Sequence, residues 1–325
     1  MTGMRVFVGG VLAVGLLGGC EALDDAGGGG GIGDVDFRRG FAFVREDDRN
    51  VYVVDDAGDP NSPQRLTSAG GAYWPSVSRD GRSVVFVTRA TNGATALQTV
   101  PTTGGTVATL FGANDPACAR GCSNFRTPTF SPDGRSVVFV FSPGNSSQTS
   151  LGRVNTDGSG FQELTPNTTI AYGAPSFVPN GSALVAPAGS GLQQLNQVAY
   201  VPLTGGSIIY TSSLGDVVAV ANRVVVSPDG TQVAFDGRGG SGSVRTYVTS
   251  LSNGRLGAPR RVTSYGGASA QETWPMWTGA SQVGFLFADS AGSDPGIYRA
   301  TVAAAPSNSV TLAVPSAAEP SYGPL

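Results

Sequence analysis

One decapeptide occurs twice in this chain, and it limits the possible folds more than any other feature. Residues 131–140 read SPDGRSVVFV and residues 78–87 read SRDGRSVVFV, so nine of the ten letters agree. Weaker copies are FVPNGSALVA at 177–186, VSPDGTQVAFD at 226–236 and WTGASQVGFLF at 277–287. Self-similarity at a spacing of tens of residues indicates a repeat architecture. We therefore expect a fold built from copies of one unit.

The aromatic position near the end of each copy sets the period. It recurs every 43 to 53 residues, at Phe43, Phe86, Phe139, Ala186, Phe235 and Phe285. Each repeat holds four short apolar runs, which we label A to D in chain order, separated by turns rich in Gly, Pro, Asn and Asp. Four strands in about 50 residues are typical of a β-propeller blade. The sequence predicts an all-β, six-bladed β-propeller of four-stranded blades over residues 37–325.

Within a blade, the decapeptide predicts a hairpin followed by a buried strand. Asp133 and Gly134 suit a tight A–B turn, because Asp bonds nearby backbone N–H groups and Gly adopts positive φ without a steric cost. Residues 137–140 are apolar at every position, which indicates a strand buried on both faces between neighbouring blades. The five repeated Phe residues are then expected in the inter-blade core.

The first repeat lacks an obvious A strand, and the end of the chain offers one. Residues 318–325 read AEPSYGPL, in which Pro320-Ser321-Tyr322 parallels Pro75-Ser76-Val77. If this segment pairs with the first B strand, the ring closes without a long open edge. The alternative is that residues 34–38 fill that place.

Four features together resemble the TolB-type propeller repeat, over about residues 37–325. They are the Pro of the A strand, the Ser-Pro-Asp-Gly turn, the apolar B strand that ends near a Phe, and the Tyr of the C strand. The copy near 180 departs from it with Asn for Asp, and the turn near 280 is one residue shorter. TolB proteins also carry an N-terminal α/β domain, whereas only a tether is expected before the propeller here. The resemblance implies binding of a partner lipoprotein or extended peptides at the channel mouth. The sialidase Asp-box is a rival that needs one more residue between Asp and Gly.

The first 36 residues read as an export signal and a tether. Arg5 precedes an apolar run that ends in Leu17-Gly18-Gly19-Cys20, which resembles a bacterial lipobox. We expect residues 1–19 to be a lipoprotein signal peptide, Cys20 to carry the lipid, and residues 20–36 to be a Gly-rich flexible tether. An ordinary secretory signal is the alternative. By resemblance to envelope sorting signals, Glu21 favours the outer membrane, with the membrane face left open.

Two cysteines remain in the exported part. Cys118 and Cys122 lie in the longest connection between repeats, and in an exported protein such a pair predicts a local disulfide. The alternative is a redox or metal pair, although the spacing is C-x₃-C.

Composition excludes several classes of chemistry. The chain has no His, and all 20 of its basic residues are Arg. Ser-His-Asp triads, His-ligated metals and Schiff-base lysines are therefore excluded, and we predict no cofactor and no metal site. A formal charge of −3 provides no basic footprint, so nucleic acid is not an expected partner.

The starts of the A strands carry the candidate binding residues. In a propeller these positions surround one mouth of the central channel, where aromatics with Arg and Glu can bind a peptide or a sugar. The candidates are Tyr73, Trp74, Arg126, Tyr172, Arg223, Glu272, Trp274, Glu319 and Tyr322. Their alternative role is packing near the channel or plain surface.

The predicted function is a non-catalytic, lipid-anchored envelope propeller that binds a protein or peptide. One alternative is a carboxylate-dependent enzyme of glycosidase or lyase type, for which Glu272 and Glu319 are the only Glu in the candidate mouth. The other is a surface protein that binds a glycan or small ligand through Trp74 and Trp274.

Overall fold

The computed structural model describes residues 37–118, 120–144, 146, 148–166, 169–240, 242–289 and 295–325. These residues form strands and turns and contain no helix, as predicted for an all-β chain. No helix long and apolar enough to cross a membrane occurs among them. The predicted signal peptide, Cys20 and the tether lie outside the described residues.

Twenty-six strands build the fold. In chain order they are β1 (Gly40–Val44), β2 (Val51–Asp55), β3 (Gln64–Arg65), β4 (Ala72–Val77), β5 (Ser83–Arg89), β6 (Thr95–Pro101), β7 (Ala108–Gly112), β8 (Cys122–Phe130), β9 (Ser136–Pro143), β10 (Ser150–Asn155), β11 (Gln162–Glu163), β12 (Ala171–Tyr172), β13 (Ser176–Phe177), β14 (Ala183–Gly189), β15 (Gln197–Pro202), β16 (Ile209–Thr211), β17 (Val217–Val226), β18 (Gln232–Gly239), β19 (Val244–Ser252), β20 (Arg255–Leu256), β21 (Arg260–Arg261), β22 (Gln271–Gly279), β23 (Gln282–Ala288), β24 (Gly296–Thr301), β25 (Thr311–Pro315) and β26 (Ala318–Gly323).

The strands form six antiparallel sheets, which confirms the predicted six blades of a β-propeller. Blades 1, 2 and 3 have the orders β26-β1-β2-β3, β4-β5-β6-β7 and β8-β9-β10-β11. Blade 4 runs β12-β14-β15-β16 with β13 also on β14, blade 5 runs β17-β18-β19 with β20 and β21 on β19, and blade 6 runs β22-β23-β24-β25. The A strand is at one edge of each sheet and the D strand at the other.

The C-terminal strand closes the ring, as predicted. Strand β26 pairs antiparallel with β1, with Tyr322 opposite Phe41, so the chain's end supplies the A strand of blade 1. The two rings pack edge to face with centroids 4.9 Å apart. The Tyr322 hydroxyl donates to Asp56 in the C–D turn of the same blade, and Arg299 from blade 6 also reaches that carboxylate, at 2.5 Å. This edge of blade 1 is therefore occupied by β26.

Six apolar clusters fill the six spaces between neighbouring blades. Alternate side chains of one B strand enter different clusters: Val137, Phe139 and Phe141 pack against blade 2, whereas Val138 and Val140 pack against blade 4. This is the two-sided burial predicted for the decapeptide. All five repeated Phe residues are 0 or 1% exposed. Each contributes about 1.5–3 kcal/mol on burial.

The Ser-Pro-Asp-Gly segments form the predicted A–B hairpins. Asp133 Oδ1 accepts hydrogen bonds from Ser131 Oγ at 2.5 Å and from the Arg135 N–H at 3.1 Å, and Gly134 has φ of +69°. In blade 4 the neutral Asn180 has the same role, because its Oδ1 accepts hydrogen bonds from Ser182 N and Oγ at 3.0 and 2.8 Å. A neutral oxygen acceptor can therefore replace the carboxylate in this turn.

The blade 4 A strand is interrupted, which the repeat pattern did not predict. Strands β12 and β13 both pair with β14, but no ladder joins them across residues 173–175. Pro175 lacks an N–H, and Pro187 on the facing part of β14 lacks one too, so the ladder has no donor from either.

Cys118 and Cys122 form a disulfide in the connection leading to β8. Both cysteines are buried, in the same cluster as Phe111, Phe125 and Phe139. The bridge closes a very short loop, so it orders this connection against the blade 2–3 core rather than constraining the whole chain.

A triple substitution of the turn carboxylates by asparagine, D80N/D133N/D229N, tests their charge separately from their geometry. The hydroxyl of the Ser two residues before each Asp holds the pKa of that carboxyl below its ordinary value. A lowered carboxyl pKa adds stability above the unfolded pKa near 3.9, and that stability is lost as the pH falls through the folded value. We expect the variant to lose less stability than the parent between pH 6 and pH 2.5, measured as urea midpoints. Equal losses would contradict this assignment.

Candidate functional site

A cavity of about 190 Å³ lies where the six A strands converge. Each A strand contributes residues to its wall, so the cavity is on the axis of the ring. The residues at the corresponding position of blades 2, 3, 4, 5, 6 and 1 are Trp74, Thr127, Ala174, Arg223, Trp274 and Glu319. A prolyl residue follows five of the six.

Four of these residues have unusual backbone angles. Trp74, Thr127, Trp274 and Glu319 have φ of 51°, 46°, 54° and 48°, in the left-handed region that residues other than Gly rarely adopt. The pairing of each A strand with its B strand shifts register at this point, as in a β-bulge. Bulges re-aim side chains, and strained backbone of this kind is concentrated at functional sites. The strain marks the cavity wall as the candidate site.

Asp236, on β18, holds one of these bulges. Its Oδ1 accepts hydrogen bonds from the N–H groups of Asn222 and Arg223 at 2.9 and 3.0 Å. Its Oδ2 accepts from Asn222 Nδ2 at 2.6 Å and from the Trp274 N–H of the next blade at 3.0 Å. The residue has no exposed surface, and this burial raises the pKa of Asp236 against the effect of its four donors. One carboxylate thus joins the inner strands of blades 5 and 6.

Glu319 does the same between blades 1 and 2. Its Oε2 accepts from the Trp74 N–H at 2.9 Å, and its Oε1 accepts from Arg49 Nη1 at 3.1 Å. Burial raises the pKa of Glu319 above its ordinary value. Trp74 and Trp274 are therefore each held by a carboxylate from a neighbouring blade.

Arg223 is the cation in the cavity wall. Its Nε donates to Pro275 O at 2.8 Å and its Nη1 to Pro320 O at 3.0 Å, so it joins blades 5, 6 and 1 through two carbonyls. The guanidinium lies 5.8 Å from the centre of the Trp274 ring. Desolvation lowers the pKa of Arg223 to about 10, which leaves it charged at neutral pH.

An arginine–aromatic rim adjoins the cavity; we define it as Arg49, Tyr73, Trp74, Arg89 and Arg126. The Arg49 and Arg89 guanidinium carbons lie 4.8 and 5.0 Å from the Tyr73 ring centre. That of Arg126 lies 5.9 Å from Trp74, whose ring is 5.4 Å from Tyr73. Burial, together with the charge of Arg89, lowers the pKa of Arg126. Trp74 belongs to both the rim and the cavity wall.

The structure brings most of the sequence candidates together. Five of the nine line the cavity: Trp74, Arg223, Trp274, Glu319 and Tyr322. Tyr73 and Arg126 contact Trp74 on the rim.

Tyr172 is not at the channel mouth. It is 1% exposed and lies in the apolar cluster between blades 3 and 4. Its hydroxyl hydrogen-bonds the Tyr210 hydroxyl at 2.7 Å, and its backbone N–H and C=O both bond Thr149 Oγ1, at 2.9 and 2.7 Å. Tyr172 lies before the interruption of the A strand, two residues before Ala174, the residue of blade 4 that lines the cavity.

Glu272 is also not in the cavity wall. It has no exposed surface and accepts from Thr263 Oγ1 at 2.5 Å, from the Thr246 N–H at 2.9 Å and from Arg245 Nη1 at 3.4 Å. It joins the start of β22 to blade 5. The pair Glu272 and Glu319, on which the carboxylate-enzyme alternative depended, is therefore not assembled in the cavity.

Sequence reasoning missed Asp236, Arg49 and Arg89. Asp236 had a detectable signal, since it is an acid in a B strand where the equivalent positions, such as Val87 and Val140, are apolar. No three His, Cys, Asp or Glu side chains of the described residues are grouped as metal ligands.

Three solved structures illustrate what this chain is similar to. TolB from Acinetobacter baumannii aligns with a TM-score of 0.61 at 16% identity, over 89% of this chain and 67% of that one. A structure from Agrobacterium tumefaciens assigned to TolB aligns at 0.57 and 12% identity, over 86% and 89%. An oligogalacturonate lyase in complex with manganese aligns at 0.52 and 18% identity, over 81% and 76%.

No family model and no curated protein matches the sequence. At these identities the structural likeness concerns the fold, which is a TolB-like six-bladed propeller. This likeness does not establish an activity, which depends on the residues of the site itself.

The buried carboxylate of Asp236 predicts a large stability loss in D236A. The substitution leaves three backbone N–H groups and the Asn222 amide without their acceptor, and each buried orphan costs about 1–3 kcal/mol. We expect a loss of at least about 3 kcal/mol in urea unfolding, accompanied by altered tryptophan fluorescence because Trp274 loses its anchor. The control is D229A, in the exposed turn of the same hairpin, with an expected loss near 1 kcal/mol. Equal losses in the two variants would refute the role given to Asp236.

Proposed function

We propose that this protein is a non-catalytic binding propeller of the bacterial envelope, anchored by a lipid on Cys20, that holds a segment of a partner polypeptide in its axial channel. One observation carries the proposal: Trp74 and Trp274 are held at the cavity wall in left-handed conformations by Glu319 and Asp236 of neighbouring blades. The positions of these aromatics therefore depend on strained backbone, on the buried carboxylate of Asp236 and on the partly buried carboxylate of Glu319. Rigid aromatic anchors of this kind dominate the energetics of protein recognition.

The cavity suits part of a polypeptide rather than a whole small ligand. Its volume of about 190 Å³ is below the roughly 300–1,000 Å³ of small-molecule sites. It can therefore take one or two side chains of a longer segment. Thr127 and Ser321 are in its wall, and their buried hydroxyl oxygens have no hydrogen-bond partner among the described residues.

The use of the carboxylates supports a binding role over a catalytic one. Enzymes that work with two carboxyl groups need them about 5–10 Å apart across a substrate. Among the described residues of the cavity wall, Glu319 is the one acid, and it already accepts from Arg49 and Trp74. Asp236 and Glu272 have no exposed surface, so both act within the frame.

The envelope part of the proposal is supported by sequence. The lipobox at 17–20 and the Gly-rich residues after it fit a lipid-tethered protein. Glu21 favours the outer membrane by resemblance to sorting signals. The TolB resemblance implies another envelope protein, for example a lipoprotein, as the partner.

Site-specific photo-crosslinking tests the channel assignment. A photoreactive amino acid at Thr127, in the cavity wall, is expected to capture a discrete polypeptide from the native envelope. The same group at Val218, which is 57% exposed and outside the wall, is the control. W74A/W274A is expected to reduce the Thr127 adduct at least tenfold, because the anchors are lost. Adducts to polysaccharide alone, or an adduct that persists in the double variant, would refute peptide binding in the channel.

Lipid attachment is tested separately with an alkyne-labelled fatty acid. The parent protein is expected to incorporate the label and to fractionate with the outer membrane, whereas C20S is expected to remain unlabelled because it lacks the thiol. Label in C20S, or none in the parent, would refute the lipid anchor and leave the channel assignment standing.

A further inference from the structure

Positive charge is concentrated on the rim although the protein is acidic overall. The chain has a formal charge of −3, yet Arg49, Arg89 and Arg126 surround two adjacent rings. Arg49 is paired with Glu319 at 3.1 Å. Among the described residues, Arg89 and Arg126 make no ion pair, so the rim holds two cations without a counter-charge.

The position of Arg126 on the rim is energetically unfavourable for its charged side chain. Its Nε is buried and has no hydrogen-bond partner among the described residues. Burial and the like charge of Arg89 both disfavour its charged form. Arg45, Arg261 and Arg299 also have a buried Nε without a partner, whereas Arg245 reaches Glu272 and Arg223 donates to two carbonyls. Of the four arginines with an unpartnered Nε in the described part of the chain, Arg126 is the one that packs on Trp74 of the cavity wall, and the terminal nitrogens of its guanidinium are the donors that an external acceptor can use.

The rim and the cavity meet at Trp74, which belongs to both. Arg49 lies in the B–C connection of blade 1, Arg89 ends the B strand of blade 2, and Arg126 is in the first half of the A strand of blade 3. These positions are at the end opposite the A–B turns. The cavity wall consists of the axial residues and of residues that follow them towards the A–B turns, whereas the other rim residues lie on the opposite side of Trp74, so a segment that extends past Trp74 reaches both.

We propose that the rim is an anion site, in which Arg89 and Arg126 bind a side-chain carboxylate of an acidic segment of the partner polypeptide while a neighbouring residue enters the cavity. This rests on the proposed function and specifies its ligand. Arginine binds carboxylates through two parallel N–H···O bonds, and Arg89 is exposed and therefore able to present both donors. The aromatic rings fix the planes of the guanidinium groups before the ligand arrives.

A polypeptide is favoured over nucleic acid as the source of the anion. Nucleic-acid sites need a stripe of cations along many phosphates. The rim instead has two cations without an ion pair beside an aromatic cavity, in a protein whose overall charge repels a polyanion. An isolated carboxylate next to an apolar side chain matches this geometry.

Fluorescence anisotropy with defined peptides tests the proposal. The probes are labelled dodecapeptides of Gly, Ser, Ala and Pro with a central Glu-Phe-Glu or its isostere Gln-Phe-Gln, titrated with the full chain at low salt. We expect the Glu peptide to bind at least tenfold more tightly. R89Q and R126Q are expected to bring the two peptides within twofold, and R126K to recover part of the difference. The matched control, R135Q, removes an exposed arginine at the opposite end and should leave the ratio unchanged.

Several results would overturn the anion site. These are equal affinity of the two peptides for the parent, equal effects of R135Q and R89Q, or no binding of either peptide up to 1 mM. Displacement of the probe by inorganic phosphate at concentrations below those of free glutamate would identify a phosphate site instead. Binding of the Gln peptide that W74A abolishes would show that channel recognition stands even where the anion site fails.

Discussion

The antiparallel pairing of β26 with β1 is the contact on which the rest of the structure depends. Each blade is apolar on both faces, so it is stable only between two neighbours, and a ring satisfies this condition only when it closes. Tyr322 secures the closure through two contacts: its ring packs against Phe41 of β1, and its hydroxyl donates to the Asp56 carboxylate, which follows β2. The axial cavity is a consequence of closure, since blade 1 contributes Glu319 and Tyr322 to its wall through this strand.

A second constraint acts at the inner strands. The bulges at the two Trp-Pro positions leave backbone N–H groups that the A–B ladders do not use, and the ring satisfies them across blade boundaries. Asp236 accepts from the bulge of blade 6 and Glu319 from the bulge of blade 2. These two acids therefore stabilise the contacts between blades, and they do so only while neighbouring inner strands keep their spacing. Stability and the shape of the cavity are coupled through the same hydrogen bonds.

The repeat made the frame predictable, and the site only partly so. Blade number, the Pro-Asp-Gly hairpins, the inter-blade Phe residues and closure by residues 318–323 follow from patterns local to one repeat. Tyr172 and Glu272 were misassigned because a side chain two positions before the axial residue packs between blades. Asp236 and Arg49 were missed because each contacts a residue of the next blade, Trp274 and Tyr73 respectively, and a sequence period carries no information on which side chains meet across a boundary.

The difference between the blades is where specificity resides. The frame is close to sixfold, but the equivalent axial positions are Trp, Thr, Ala, Arg, Trp and Glu. The two tryptophans flank blade 1, and the unpaired arginines lie on blades 2 and 3. A symmetric cavity would accept a segment in six equivalent orientations, each lowering selectivity. In the proposed binding role, the axial tryptophans and the unpaired arginines are confined to the arc from blade 6 to blade 3, so a segment with an acid beside an apolar side chain would have one orientation in which both are satisfied.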